Sequence, residues 1–484
     1  MYHIIKIIFI FTVCCLSSIE SVDAATILVN NDQDLGQLDG NCDLRDAINS
    51  ANLNFSVDGC VAGQAGVQDI IIVQVAGPIQ LESTLPVFSS MAITTTFNAD
   101  PVEIIAAPDR RIMRVVPISE NDNNFTMINF KLSGGNATEE TTGGAIYFNG
   151  EDDNLGVIEL SSMIFENNHA YIGGALHFDQ TFADSIWINN NIFVGNTADN
   201  LAGAIAGDRA VKSGENRSLR ILKSHFENNS TNGTGGAVFI RTEEVGLAEI
   251  SDSHFINNSA AESIGAVGVG AWIDTQTFEL NRNLFMFNQA GTHSGAVQVG
   301  YSSIVYVRDS LFAFNSAQIG GAITATFDDS LLRLSASTLV HNSASSYGDN
   351  IHIYSTGRLI PANNIIAYPA NGDNCSGSLR VTTSQGIIGN MTDDNSCELL
   401  DNAPGTSIID PLLSGFSTHP DHYPGFAPTA DSPALDSANS CSDKDVMGRD
   451  RPIDGDGDGN AYCDTGAIES PFSTDLIWTD SFGL

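Results

Sequence analysis

The chain has 484 residues, 42% of them hydrophobic, which is ample for a core, and only 16% are charged. Its 58 Asp and Glu against 20 Lys and Arg leave a formal net charge of −38, which excludes nucleic acid and anionic membrane surfaces as partners, because neutralising phosphate takes Lys and Arg. Forty-five glycines and abundant Asn and Ser suit a turn-rich β fold.

At the N-terminus, Lys6 precedes an apolar run, Ile7 to Leu16, and the stretch ends on Val22-Asp23-Ala24. Basic start, short apolar middle and small-residue end predict a secretory signal peptide over 1–24, cleaved after Ala24. The run is too short to anchor in a bilayer, so no transmembrane segment is expected after cleavage. Six cysteines remain, Cys42, Cys60, Cys375, Cys397, Cys441 and Cys463, in three sequence-local pairs on either side of the middle of the chain. An even number in an exported chain predicts the disulfides Cys42–Cys60, Cys375–Cys397 and Cys441–Cys463, and the spacing does not suit zinc.

Residues 25–90 read as an N-terminal cap, with a strand at 26–29 and an amphipathic helical pattern from Leu44 to Asn52. A cap is needed, since the open first coil of a stacked β structure leaves unpaired N–H and C=O groups. Arg45 is expected in a buried salt bridge of that cap. The phrase Cys42-Asp43-Leu44-Arg45-Asp46-Ala47-Ile48, followed by Ala51-Asn52 and Cys60, resembles the CSLREA domain of exported bacterial proteins. Asp43 and Asp46 stand where that family usually has Ser and Glu.

Residues 91–372 carry a repeated phrase. Its first half is Phe-x-x-Asn: Phe165 with Asn168, Phe193 with Asn196, Phe226 with Asn229, Phe255 with Asn258, Phe285 with Asn288, Phe312 with Asn315, and Leu339 with Asn342. Its second half is Gly-Gly-Ala-aliphatic, as in Gly143 to Ile146, Gly173 to Leu176, Gly235 to Val238 and Gly320 to Ile323. Counted from Phe130, the ladder steps are 35, 28, 33, 29, 30, 27 and 27 residues. A period in that range signals a solenoid, and the short β-branched and aromatic segments between turns make it a β one. The fold expected is all-β, a right-handed parallel β-helix of the pectin-lyase-like kind.

In that fold each Phe stacks on the next in the interior. The Asn is expected at a turn, where it tolerates a left-handed backbone and bonds to the Asn of the next coil. The paired glycines supply positive φ or a close backbone approach. Both phrases are similar to those of chlamydial polymorphic outer-membrane proteins and their solenoid relatives, a resemblance specific for fold and not for function.

Residues 373–470 loosen into a disulfide-tied segment. Its ordered series, from Asp410-Pro411 through Asp431-Ser432-Pro433-Ala434-Leu435-Asp436 to Cys463-Asp464-Thr465-Gly466-Ala467-Ile468-Glu469, resembles the choice-of-anchor module that often follows such solenoids. Residues 471–484 form a tail. Within the module Asp454, Asp456, Asp458 and Asn460 alternate, with Gly459 at the sixth place, which matches the opening of a calcium loop. The twelfth place is Thr465 and not Glu, so a full EF-hand is excluded; calcium with help from Asp464 or Glu469 stays open beside a solvated acidic turn pinned by Cys441–Cys463.

Arg282 and Asp309 share a register with Asp252 and predict a surface ion pair, and His225 and His254 should meet on neighbouring coils. No catalytic residues are assigned, because no Ser/His/Asp phrase, phosphate-cradling loop or lyase-type basic cluster occurs. The expectation is an exported, non-catalytic cell-surface or secreted protein, an adhesin-like or display scaffold with an unidentified extracellular glycan or protein ligand. The alternatives are a polysaccharide lyase or glycoside hydrolase on the same fold, and a calcium-dependent matrix- or glycan-binding module.

Overall fold

A computed structural model describes residues 23–470, apart from 35–38, 97–99, 119–122, 138–140, 151–154, 213, 243–244, 272–274, 301, 327–329, 355–356, 378–379, 382–388, 398–405 and 417–424. The signal peptide expected over 1–24 therefore lies outside the described residues except for its last two, and the tail over 471–484 lies wholly outside.

One coil shows how the chain advances. Leu155–Ser161 runs in a first sheet (A), Ile164–Glu166 in a second (B), His169–Ile172 in a third side (D) and Leu176–Asp179 in a fourth (C). Ser185–Asn189 then returns to sheet A beside Leu155–Ser161, in parallel and in register. Repeating this step stacks about nine turns into a β-solenoid. Among the described residues sheets A and B each hold 13 strands, sheet C 11 and sheet D 7.

The repeated phrase builds the interior. Phe165, Phe193, Phe226, Phe255, Phe285 and Phe312 form one stacked column, with ring centroids 4.6 to 4.9 Å apart and no solvent exposure. Each stacked pair is worth roughly 0.5–1.5 kcal/mol beyond its area burial. Below Phe165 the column continues as Leu132, not Phe130, which shortens the first step of the ladder to 33 residues. Phe130 is buried two residues earlier, opposite Val102.

The asparagines form a second column. Asn168 Nδ2 donates to Asn196 Oδ1, and the same link joins Asn196 to Asn229, Asn258, Asn288, Asn315 and Asn342 in turn, at 2.9 to 3.0 Å. From Asn196 on, the second amide hydrogen of each goes to the carbonyl of a ladder Phe on the coil before, as from Asn196 to Phe165. Fully engaged buried amides of this kind stabilise and specify the stack. The left-handed residue at this corner is not the ladder Asn but the one before it: Asn167, Gly195, Asn228, Asn257, Phe287, Phe314 and His341. The reason is geometric, since the turn itself must bend outward before the Asn can point in.

A further polar column escaped the sequence reading. Asn191, Ser224, Ser253, Asn283, Ser310, Ser337 and Asn364 line the corner between sheets A and B, each accepting from the backbone N–H of the coil before. Its signal was present in the sequence: a small polar residue stands two before the ladder aromatic or aliphatic in every one of these coils.

The two glycines divide their labour. The first holds a positive φ, as at Gly173 and Gly235, and Ala202, Ile264 and Ser294 do the same in their place. The second faces the backbone of the next coil, so that a Cβ at Gly203, Gly236 or Gly265 would strike a carbonyl oxygen. Gly stands there in every one of these coils, because only hydrogen fits.

At the N-terminal end, Thr26–Val29 is already a strand of sheet A, and the helix Leu44–Leu53 packs Leu44, Ala47, Ile48 and Ala51 into the core. Asp43 caps that helix by accepting from the Asp46 N–H, a task Asp performs about as well as Ser. Arg45 pairs with buried Asp34 at 2.7 Å, as expected, and also donates to the carbonyls of Ser83 and Thr84. Asn52, two turns on, donates to Pro86 O and accepts from Phe88 N. Arg45 thus holds the residues just before, and Asn52 the edge of, Leu85–Val87, the end strand of sheet C among the described residues. The disulfides Cys42–Cys60, Cys375–Cys397 and Cys441–Cys463 are all present, paired as the spacing predicts. Among the described residues no helix is long and apolar enough to cross a membrane.

Candidate functional site

The C-terminal segment first extends the rod, with Cys375–Gly377 in sheet C, Arg380–Val381 in sheet A, and Met391–Thr392 and Ser407–Ile408 in sheet B, and then folds back along the outer face of sheet B. Outward-facing Leu284, Met286, Leu311, Ala313, Val340, Ile365 and Ala367 are buried there against Phe426, Ala434, Ala467 and Ile468. At the same outward positions the earlier coils are mixed, with Lys131 and Ser133, Ile192 and Val194, or His225 and Glu227, whereas the covered coils are almost wholly apolar.

The latch is Arg451. Its guanidinium is buried between Asp309 (3.1 Å) and Glu469 (2.7 Å), and it also donates to the carbonyls of Asp464 and Gly466. Asp309 is thereby taken out of the expected surface pair. Arg282 bonds Asp252 at 2.6 Å, whereas Asp309 is buried under the module and burial raises its pKa. The register alone could not reveal this, because the competing partner lies 142 residues further along the chain.

The acidic loop is tied to this latch through Asp464, whose carbonyl accepts from Arg451 and whose carboxylate accepts from Asp436 N. Asp454 and Asp456 converge with Asp436, all three offering carboxylate oxygens within 4.8 Å of one another. Asp458 and Asn460 stay outside the trio: Asp458 accepts from the backbone N–H of Asn460. Asp454 accepts from the N–H groups of Gly457 and Gly459, and Asp436 from those of Gly455, Asp456 and Tyr462. These bonds fix three hard oxygen donors facing one another, with no His or Cys, a set that fits a hard divalent cation such as calcium. The salt bridges of the module lie elsewhere: Lys444 pairs with Asp450, Arg449 with Asp445 and Arg451 with Asp309 and Glu469. Glu469 is thus committed to Arg451. Asp464 is buried, accepts from Asp436 N and Ser470 N, and burial pushes it up to about 7. Asp436 was missed from sequence because it lies 18 residues before the motif, outside any local spacing.

Two further expectations can be placed. His225 and His254 are in register with rings 5.9 Å apart, edge to face, and His225 meets Glu227 at 3.1 Å. Burial, with His225 beside it, holds His254 down at about 4, so it stays neutral near pH 7. On the outer face of sheet A, Glu249 and Glu279 are in register on adjacent coils. Each is held by its own partners: Ser251 and Arg220 for Glu249, Asn281 and Arg308 for Glu279. No protein-family model matches the chain, and no curated protein matches it.

Proposed function

We propose that the chain is an exported, non-catalytic scaffold of the cell surface or extracellular space, an adhesin-like or display rod. The observation that carries this reading is the contrast between inside and outside. Phe, Asn and Ser/Asn columns run from coil to coil, while the outward positions of the same strands keep no one residue type, passing on sheet B from Lys131 through Ile164, Ile192, His225 and His254 to Leu284. Rigid, repeated interiors with unrepeated surfaces suit presentation of exposed groups at fixed spacing. Three disulfides fit an oxidising compartment. Fractionation of the producing cell tests it: the protein is expected in the medium or accessible to surface labelling, and confinement to the reducing cytoplasm would sink the reading. Incubating it with acidic and neutral polysaccharides should yield no new reducing ends and no unsaturated products.

The acidic trio favours a second, compatible reading, in which calcium steadies the C-terminal module. Melting curves with calcium and with chelator should differ for the natural chain and coincide for Asp454→Asn. Identical curves for the natural chain would dispose of this reading.

A further inference from the structure

Sheet A carries a diagonal of arginines on its outer face. Tyr306 is in register with Arg333, and Leu331 with Arg358, on successive coils. Arg308 therefore stands one coil before Arg333 and two residues further along the strand, and Arg358 one coil after and two residues back. Given the strand spacing and rise, neighbours on this diagonal lie about 8 Å apart at their backbones. Their strand neighbours Val307, Leu332, Leu334 and Leu359 point into the core, so the three side chains share the outer face.

In a chain of net charge −38, arginines normally find a carboxylate, and here Arg45, Arg217, Arg220, Arg282, Arg308, Arg449 and Arg451 each do. Arg333 and Arg358 have no carboxylate partner among the described residues. Arg333 Nε is shielded from solvent with no acceptor. The Arg308 and Arg333 guanidiniums also lean on one ring, at 4.4 and 5.5 Å from the Tyr306 centroid. Arg308 is also paired with Glu279 at 3.4 Å, so for Arg333 the cation–π contact stands in place of a counter-anion.

We infer that this face of sheet A binds a carboxylated polysaccharide laid along the solenoid axis, with Arg333 and Arg358 as its carboxylate anchors and Arg308 beside them. Guanidinium presents two parallel donors that match a carboxylate. A dense polyanion such as nucleic acid would be repelled by the remaining surface, whereas acidic sugars carry sparser charge. Screening over about 8–10 Å at physiological ionic strength lets the local arginines outweigh distant carboxylates. In the register column of Arg308, Asn281 on the coil before and Ser335 on the coil after flank it with hydrogen-bonding side chains, which suits sugar hydroxyls. This inference rests on the scaffold reading and names its ligand class.

Affinity electrophoresis through gels holding polygalacturonate, alginate, dextran sulfate or neutral β-glucan tests it. The natural chain should be retarded by a carboxylated gel, less so at high salt. The Arg333→Gln/Arg358→Gln double variant should lose about tenfold or more in affinity. Arg114→Gln, an exposed arginine of sheet C, should bind like the natural chain. Retardation by dextran sulfate or β-glucan alone, by no polymer, or equally in the double variant overturns the inference, as does equal loss in Arg114→Gln. Concentration-dependent sedimentation abolished by the double variant would instead assign the patch to a second copy. Loss of polymer binding with surface exposure intact leaves the scaffold reading standing, whereas a cytoplasmic protein that binds polymer overturns only that reading.

Discussion

The two ends of the rod are finished by opposite means. At the N-terminus a helix is set across the open end, and its polar side chains hold the edge of Leu85–Val87 and the residues just before it while its apolar side joins the core. At the C-terminus a segment with little regular structure is wrapped over the side, where an apolar outer face demands cover. An open end exposes backbone, so its lid must supply hydrogen bonds; a bare apolar flank exposes side chains, so its cover need only supply area and one latch. Each end nevertheless centres on one arginine bound to buried carboxylate, Arg45 on Asp34 and Arg451 on Asp309 and Glu469.

That parallel sets the scale of the first tests. Arg451→Met strands two buried carboxylates and is expected to cost about 3–5 kcal/mol in the docking of the module. Limited proteolysis should then release the C-terminal segment while the solenoid stays resistant; a cover as resistant as before would show that apolar area alone holds it. Arg45→Met strands one carboxylate at a site where the arginine is partly exposed, so about 2–4 kcal/mol is expected, read by the melting of the helix. Equal costs at the two ends would contradict the difference in burial. Asn52→Ala removes a donor and an acceptor from the end strand and should cost about 1–3 kcal/mol. It should also make the protein associate with rising concentration, because an unpaired edge recruits another strand. Sedimentation unchanged across concentrations would mean that Arg45 guards that edge unaided.

How much of this could be read without coordinates follows from how local each interaction is. The Phe and Asn columns were readable because each coil repeats the phrase that makes them. The cap was readable because Leu44 to Asn52 keeps helical spacing, and for Arg45 a buried salt bridge outweighed a binding role. The left-handed residue was misassigned by one position, since Asn167-Asn168 and Asn228-Asn229 offer two adjacent Asn and the phrase does not say which one turns. The docking of the C-terminal segment was missed because its trace is faint: Leu284, Met286, Leu311 and Ala313 are apolar flanks of ladder Phe residues, but so are Ile192 and Val194, which stay half-exposed. Asp436 and Asp309 were beyond reach for another reason. Their partners are distant in sequence, and no periodic pattern connects a latch to its seat. The acidic loop was legible as a motif, but which carboxylates converge depends on a chain crossing that spacing does not encode.

The smallest expected effect separates the ends by pH. Asp46 sits in the first turn of the cap helix, where burial, reinforced by Asp43, Asp58, Asp39 and Asp34, raises its carboxyl to about 6. Folded Asp46 therefore holds a proton that the unfolded chain has already released above its ordinary value of 3.8. Between those two values the folded state binds more protons, so stability falls as pH rises. The contribution is fully present below about 4 and is lost as pH climbs through about 6. Asp309 is also raised by burial, so the latch follows the same sign, but Arg451 opposes the shift there and nothing comparable does so at Asp46. Hydrogen exchange of helix amides such as Ala47 should accordingly quicken between pH 4 and about 6, after correction for intrinsic rates, more than that of the module amide Ala467. Asp46→Asn should flatten the first profile and leave the second. If the helix profile keeps its slope in that variant, the carboxyl that titrates is another of the cap's acids, and Asp43, also raised by burial and lying at the helix N-cap, is the next to replace.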